Sequence, residues 1–301
     1  MELSNRMKAV AQMVPAGHVA ADVGCDHGFV SVYLVRNGVC PFVYAADVRP
    51  GPLAGAAAHI RENGLADAIV TVLSDGLENV PVGRAADRPV PKEMRGESGG
   101  VRREASDVAG RNGMPGADVM IAAGMGGKLT IRILERCPEK TAQLSWLVLE
   151  PQSEIWLVRS WLDRNGFVIT DEAMVSEDGR YYPVIQAGNG RLEEAVLEKG
   201  ITLRKSVCTA LARTGLGEQD CRQACDRFGP VLIARKDAVL LSFLEHTMEK
   251  DAALLEGMPR TAENLFKAGR IEMRRRELAD RIVLEQAVAG LCRDKKKPPK
   301  A

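Results

Sequence analysis

Apolar and polar residues alternate along the first 190 positions in blocks that predict strands and helices in turn. The short apolar runs predict seven strands, at 18–21, 42–46, 69–73, 118–123, 146–149, 167–170 and 181–186. Helical spacing of apolar residues predicts helices between them, at 29–35, 129–136 and 154–165. Strands alternating with helices predict a parallel α/β sheet, and an acidic turn at 176–179 predicts that the last two strands pair antiparallel.

Beyond about residue 190 strand patterns stop and helical periodicity takes over. Two apolar stripes, one on each side of a break near 257–259, predict two antiparallel helices in a coiled-coil-like hairpin. The stripes are Val239, Leu240, Phe243, Leu244 and Thr247, and Leu278, Ile282, Leu284, Glu285 and Val288. An ordinary amphipathic pair packed against the first domain is the simpler alternative. The predicted domains are therefore 1–190 and 191–301.

The segment 84–116 has no apolar periodicity and is rich in Pro, Gly, Ser, Arg and Glu. This composition predicts a disordered surface insertion. The segment contains five acidic and seven basic residues. It could be a solvated loop without a role, or its basic residues could contact RNA phosphates. The basic residues are Arg84, Arg88, Lys92, Arg95, Arg102, Arg103 and Arg111.

The stretch 21–28, Ala-Asp-Val-Gly-Cys-Asp-His-Gly, joins the first strand to the first helix of the sheet. A glycine turn between strand and helix lets a ligand approach backbone amides at the helix N-terminus. Asp47 follows the second apolar run, nineteen residues beyond Gly28. An acid at that place can accept hydrogen bonds from both ribose hydroxyls of an adenosine ligand.

The chemistry of this turn favours S-adenosylmethionine over a dinucleotide. Asp26 stands where a dinucleotide fingerprint needs its second glycine, and a carboxylate there would repel a pyrophosphate. The same carboxylate would attract the amine or sulfonium of S-adenosylmethionine, and Asp22 adds a second acid. The alternative is that both acids only cap the following helix. His27 could be a base, but a residue packing at the helix start near the cofactor is the favoured interpretation.

Two later strand ends continue the series, because ligands of such sheets sit at the carboxyl ends of the strands. Asp75 follows the third strand and could accept a hydrogen bond from the adenine amine. Gly124-Met125-Gly126-Gly127 follows the fourth, where small residues would let backbone approach a flat substrate. A turn without further role is the alternative for these glycines.

With these motifs the chain resembles the TrmK family of bacterial tRNA adenine(22)-N1-methyltransferases. The matching stretches are 3–7, 21–27, 74–77, 121–127, 149–152, 159–162 and 229–230. The resemblance is good over 3–188 and looser beyond. It implies a class I S-adenosylmethionine-dependent methyltransferase fold, a Rossmann-like seven-stranded sheet, with a helical C-terminal domain that contacts tRNA. It also implies methyl transfer from S-adenosylmethionine to N1 of adenine 22.

From the motifs and the resemblance together we derive candidate site residues. The candidate catalytic residues are Arg6, Asp26, Met125 and Gly126. The candidate cofactor-binding residues are Asp22, Gly24, Asp26, His27, Gly28, Asp47, Val48, Asp75, Gly76, Ala123 and Gly124. Arg6 lies on an amphipathic helix predicted from Leu3, Met7, Val10, Ala11 and Val14, which the resemblance places beside the active site.

The chain departs from the family at two positions and leaves other functions open. Glu150 stands where the family usually has Gln, and Phe29 stands where an aromatic hydroxyl is usual. A methyltransferase acting on another nucleobase or on protein is the main alternative function. A non-catalytic RNA-binding adaptor would lack Asp22, Asp47 and Asp75, and a nicotinamide-dependent oxidoreductase would need a glycine at 26.

Composition agrees with a cytoplasmic enzyme that has no membrane partner. The 301 residues carry a net charge of +1, so a surface for nucleic acid must be a local patch. No signal peptide and no apolar run of membrane-spanning length is expected, and the odd count of seven cysteines predicts free thiols. No zinc site is expected at Cys221 and Cys225. Protein partners and oligomeric state stay open, and a monomer is compatible with the sequence.

Basic residues are concentrated between residues 270 and 301. Five acidic residues oppose ten basic ones between 270 and 301, which suits tRNA phosphates or, alternatively, a merely solvated helix face. The basic residues are Arg270, Arg274, Arg275, Arg276, Arg281, Arg293, Lys295, Lys296, Lys297 and Lys300.

Overall fold

The computed structural model describes residues 3–83, 114–259 and 265–294 of the chain. The chain divides into two compact units, Met1–Glu198 and Lys199–Ala301. The division therefore falls eight residues after the boundary expected from the change in periodicity. The predicted insertion lies outside the described residues except for 114–116, as do the four lysines between 295 and 301.

The first unit contains a seven-stranded sheet, as predicted. Its strands are β1 Val19–Val23, β2 Phe42–Asp47, β3 Ile69–Leu73, β4 Val119–Met125, β5 Trp146–Pro151, β6 Val168–Glu177 and β7 Arg180–Gly188. Its helices are α1 Asn5–Gln12, α2 Phe29–Arg36, α3 Pro50–Glu62, α4 Gly127–Arg136, α5 Pro138–Thr141 and α6 Ile155–Arg164. Every residue of β1 and β2 is buried, as expected for parallel strands covered on both faces.

The strand order is β3-β2-β1-β4-β5-β7-β6. β1 through β5 pair in parallel, whereas β7 runs antiparallel to both β5 and β6. The chain moves outward from β1 to β3 and then returns to place β4 on the other side of β1. Ligands of open α/β sheets bind outside the carboxyl ends of the strands at this reversal. The topology therefore puts the glycine turn after β1 and the Gly124–Gly127 run side by side.

The core beneath this edge explains why the local sequence forms these elements. β2, β4 and β5 supply Val43, Ala45, Val119, Ile121 and Val148 to one continuous apolar cluster. β-Branched side chains pack well on the pleated surface of a sheet. Helices cover this sheet on both faces. α1 buries Val10 and Ala11 against the sheet, with Val14 just beyond it, which confirms the apolar face predicted for this helix.

The antiparallel pair is longer than the sequence pattern indicated. The predicted strands ended at residue 170 and began again at 181, whereas β6 extends to Glu177 and β7 starts at Arg180. Ser176 and Glu177, which were expected in the turn, pair with Tyr181 and Arg180. The turn consists of Asp178 and Gly179, both at positive φ (50° and 71°), which fits a two-residue hairpin turn that follows the strand twist. The sequence pattern missed this extension because β6 is only partly buried and carries polar residues beyond residue 170.

The described residues on either side of the gap between 83 and 114 lie close together. Val82 and Ala117 form an isolated bridge, and the Gly83 amide donates to the Ala117 carbonyl over 3.0 Å. A Cβ on Gly116 would lie 2.7 Å from the Gly83 nitrogen, so this contact needs glycine. Gly83 and Gly116, which are 33 positions apart in the sequence, are thus neighbours in the structure.

The second unit is helical in its described residues. Its helices are α7 Glu194–Ala212, which begins just before the unit boundary, α8 Glu218–Phe228, α9 Pro230–Arg235, α10 Ala238–Gly257 and α11 Leu265–Arg293. The predicted hairpin is α10 and α11, while α7, α8 and α9 were not predicted individually. None of the helices in the described residues is long and apolar enough to span a bilayer.

Contacts between α10 and α11 show that the two helices are antiparallel. Arg293 pairs with Glu245 near the start of α10, whereas Arg275 donates to the Leu255 and Met258 carbonyls at its end. Between them Arg281 binds Asp251, which is buried. Arg275 is therefore engaged in holding the hairpin, which the sequence pattern alone had counted as part of a basic surface.

Candidate active site

The glycine turn after β1 is fastened directly to the neighbouring strand. The Gly24 and Cys25 amides both donate to the Ala46 carbonyl, over 2.8 and 3.0 Å. Gly24 and Gly28 have φ of 77° and 69°, and Asp26 between them has φ of 50°. A non-glycine residue in this left-handed region is uncommon outside sites with a special backbone requirement. The turn thus presents the Asp26 side chain, which is largely exposed, at the edge of the sheet.

Two buried carboxylates flank this turn. Asp22 at the end of β1 accepts a hydrogen bond from the Ser31 hydroxyl over 2.6 Å. Asp47 at the end of β2 is only 4% exposed and accepts the Arg49 amide over 2.8 Å. Asp22 therefore ties the end of β1 to the third residue of α2, and Asp47 holds the backbone of Arg49, the residue that precedes α3.

Burial raises the pKa of Asp22 to about 6, since desolvation outweighs the opposing hydrogen bonds from Ser31. The Asp47 carboxylate adds a smaller upward contribution by charge repulsion. Because the two acids lie together at one edge, a cationic ligand would favour the ionised form of Asp22.

Asp75 is held differently from the other two acids. It follows β3, and its Oδ2 lies 3.1 Å from Nη1 of Arg136, which also binds Glu78. Next to it Gly76 has a φ of 63°, and a Cβ there would lie 2.8 Å from Cγ2 of Ile133. α4 thus packs directly onto the turn after β3, and its last arginine orients the Asp75 carboxylate.

The other end of the site contains a charged pair that the sequence pattern did not indicate. Glu150 on β5 is fully buried, and its Oε2 accepts from Nη1 of Arg6 over 3.2 Å and from the Gly124 amide over 2.7 Å. The Arg6 guanidinium lies 5.1 Å from the centroid of the Tyr182 ring, within range of a cation–π interaction. The second oxygen of Glu150, Oε1, has no hydrogen-bond partner in the described part of the chain. Burial raises the pKa of Glu150, and Arg6 and the Gly124 amide oppose this shift.

A cleft of about 690 Å³ lies at the carboxyl edge of β1 to β5. Eleven predicted residues line it: Arg6, Asp22, Gly24, Asp26, Asp47, Val48, Asp75, Gly76, Ala123, Gly124 and Met125. It is also lined by residues that were not predicted, among them Arg49, Arg132 and Gln152. Gln152 directly follows a strand, so a systematic search of strand ends would have found it.

Three predicted residues do not line the cleft. His27 faces α3, where a Cβ on Gly55 would lie 2.8 Å from its Nδ1. Gly28 approaches Ala56 of the same helix, and a Cβ on Gly28 would lie 3.3 Å from that of Ala56. Gly126 precedes α4 and faces Ser153. Their positions are needed for close packing around the site.

The residues present fit an adenosine ligand with a cationic end. Asp47 offers a buried carboxylate, and beside it the Val48 side chain is 59% exposed and lines the cleft, so it could lie against a flat ring. Toward Arg6 the acids Asp22 and Asp26 suit a positive group. Within the described residues no group of three or more His, Cys, Asp or Glu side chains could hold a metal ion.

Comparison with known proteins gives results consistent with this geometry. A family model described as methyltransferase domain matches residues 3–90 and 107–185. A tRNA (adenine(22)-N(1))-methyltransferase of Bacillus subtilis is 26% identical over 288 residues, which are 96% of this chain and 97% of that protein.

Two solved structures share the whole architecture. The crystal structure of the B. subtilis m1A22 tRNA methyltransferase TrmK is 26% identical, covers 96% of this chain and 99% of its own, and has a TM-score of 0.68. The structure of M. capricolum TrmK in complex with S-adenosyl-homocysteine is 20% identical, covers 94% and 99% of the two chains, and has a TM-score of 0.61. At 20% identity, the similarity to the second structure shows only a shared fold.

Proposed function

This chain belongs to the methyltransferase domain family, within which it is a member of the TrmK group, and we propose that it transfers a methyl group from S-adenosylmethionine to N1 of adenine 22 in tRNA. The observation that carries the proposal is the cleft at the sheet reversal, with adenosine-binding chemistry at one end and an open glycine position at the other.

The first part of the proposal concerns the cofactor. Asp47 accepts hydrogen bonds from the ribose hydroxyls, Val48 covers one face of the adenine, and Asp75 accepts from the adenine amine. Asp22, Gly24 and Asp26 surround the cationic methionine end. Arg136 supports the Asp75 role, because its ion pair restricts the carboxylate to one orientation.

The second part concerns the methyl acceptor. When bound, S-adenosylmethionine supplies an electrophilic methyl group to which adenine N1 donates its ring lone pair, while the electrons of the broken S–C bond stay on sulfur. The positive charge moves to the base, so no proton has to leave. The residues around Gly124 are then needed mainly to position the base, and Arg6 and Met125 border its place. His27 lies outside this cleft lining and needs no role as a base.

The third part concerns the second unit. We propose that α11 contacts tRNA phosphates through its exposed arginines Arg270, Arg274 and Arg276. Arg274 pairs only with its helical neighbour Glu277 among the contacts at this position, so its exposed guanidinium can reach a phosphate. Arg275 is excluded from this role, because it binds the end of α10.

The test is methylation of defined tRNA by the purified full-length protein. Transcribed tRNA with adenine at position 22 is incubated with S-adenosylmethionine, and nucleosides are analysed by mass spectrometry. The proposal expects 1-methyladenosine at position 22 and none when guanine replaces that adenine. A methylated product at another position, another nucleobase, or only on protein would refute it.

A further inference from the structure

Gln152 is a polar residue of the cleft to which the proposed function assigns no role. It directly follows β5, and its backbone amide donates to the Met125 carbonyl over 2.9 Å, which fixes it to the end of β4. Its side chain is exposed toward the cleft and has no hydrogen-bond partner within the described residues. A firmly held backbone therefore carries an unused donor and acceptor into the site.

The space beside Gln152 is bordered by polar groups that could contact a base. Gly124 has a φ of 79°, and a Cβ on it would lie 4.0 Å from Nε2 of Gln152 and 3.7 Å from Nη1 of Arg6. The missing side chain at Gly124 thus leaves a gap between an amide and a guanidinium. Since this gap lies at the end of the cleft away from Asp47 and Asp75, the methyl acceptor can enter it without displacing the adenosine.

Methylation at N1 decides which edge of the adenine is available to the protein. N1 lies on the Watson–Crick edge, and this edge has to face the methyl donor. Of the edges that remain, the Hoogsteen edge carries N7 and one hydrogen of the N6 amine, so it offers the protein both an acceptor and a donor. A glutamine amide matches that edge, with its oxygen accepting from N6 and its nitrogen donating to N7.

We propose that Gln152 recognises the target adenine by hydrogen bonds to N6 and N7 and so selects adenine over guanine. Guanine presents two acceptors, O6 and N7, at the same edge, and the Gln152 oxygen would face O6 without a hydrogen between them. A free arginine would favour guanine there. Arg6 is kept from doing so because Nη1 binds Glu150 and its plane lies over Tyr182.

The inference rests on the proposed function, and a pair of substrates separates the two. The protein, its Gln152→Ala variant and a Gln143→Ala control are assayed with tRNA carrying adenine or 7-deazaadenine at position 22. Gln143 precedes β5 at the opposite edge of the sheet, outside the cleft lining, so it is a matched glutamine without access to the base. S-adenosylmethionine affinity and the melting temperature are measured for each variant.

We expect Gln152→Ala to lower kcat/KM for adenine by about 5- to 150-fold, with unchanged affinity for S-adenosylmethionine. Replacing N7 by carbon should lower the activity of the unaltered protein and of Gln143→Ala, but change that of Gln152→Ala by less than about twofold. Equal sensitivity to 7-deazaadenine in all three proteins, or equal activity of the two variants, would overturn the inference while leaving the proposed function intact. Absence of 1-methyladenosine with the unaltered protein would instead refute the proposed function.

Discussion

Replacing Arg6 by Ala should destabilise the first unit, because it leaves the Glu150 carboxylate buried without its cation. Glu150 is fully buried, and its Oε2 has two donors, Arg6 at 3.2 Å and the Gly124 amide at 2.7 Å. Breaking a buried ion pair on one side costs about 3–5 kcal/mol. Arg6 itself is partly exposed, so water can replace some of its contact, and we expect the lower end, about 3 kcal/mol.

The loss should depend on pH with a definite sign. Burial already raises the pKa of Glu150 above its ordinary 4.5, and Arg6 is the largest opposing influence. A carboxyl group with a raised pKa binds more protons in the folded state, so its stabilising contribution is present at low pH and lost as pH rises through the folded pKa. Removing Arg6 raises that pKa further. The deficit of Arg6→Ala should therefore be large at about pH 8 and smaller at about pH 5.

Urea unfolding followed by tryptophan fluorescence measures this directly, because Trp146, Trp156 and Trp161 all lie in the first unit. The control is Arg6→Ala combined with Glu150→Gln, which removes the charge that Arg6 would leave unpaired. The combined variant should recover most of the lost stability and lose the pH dependence. A cost below about 1 kcal/mol for Arg6→Ala at both pH values would refute the argument.

The combined variant also gives a cleaner test of Arg6 in catalysis than Arg6→Ala alone. If Arg6 borders the methyl acceptor, the variant should bind S-adenosylmethionine almost normally and transfer methyl groups more slowly. Equal losses in binding and in transfer would mark Arg6 as a structural residue.

Three further expectations follow from the same contacts. Asp47→Ala should weaken S-adenosylmethionine binding at least about 100-fold, since two hydrogen bonds to a charged acceptor contribute about 1.5–3 kcal/mol each, and unchanged affinity by calorimetry would refute the ribose role. Because the pKa of Asp22 is raised to about 6, the affinity for cationic S-adenosylmethionine should fall as pH drops through that value. An unchanged pH dependence of binding in Asp22→Asn would contradict a contact between Asp22 and the cationic end. Replacing Arg274 and Arg276 by Gln should weaken tRNA binding and reduce its salt slope by about 2, whereas Arg275→Gln should mainly lower stability; unchanged salt dependence in the double variant would make α11 a solvated face.

The sequence alone was enough to predict the sheet and the acidic end of the cleft, where Asp22, Asp47 and Asp75 lie. Strand, glycine turn and helix are encoded locally, because apolar runs and glycines act within a few residues of one another. Once a parallel sheet is predicted, Asp22, Asp47 and Asp75 must come to one edge, and the structure brings them there. Their position follows from the order of strands and needs no knowledge of packing.

The contacts at the Arg6 end of the cleft depend on the tertiary structure. Arg6 and Glu150 are 144 residues apart, and nothing in the periodicity around either residue indicates the other. The ion pair between Arg136 and Asp75 could not be predicted from the sequence either, because it depends on how far α4 extends over the turn after β3. Charge patterns show that a side chain is ionic, but only packing determines its partner.

Arg275 and Gln152 show the two consequences of this limit. Arg275 was grouped with exposed arginines by composition, yet the crossing of α10 and α11 turns it toward carbonyls at a helix end. Gln152 is uncharged and was not among the predicted site residues, yet the end of β5 places it beside the side-chain-free position at Gly124. Local sequence determines which elements form, because short-range sterics and burial patterns are enough for that. The register and packing of distant elements determine which polar groups meet, and those contacts exist only after the chain has folded.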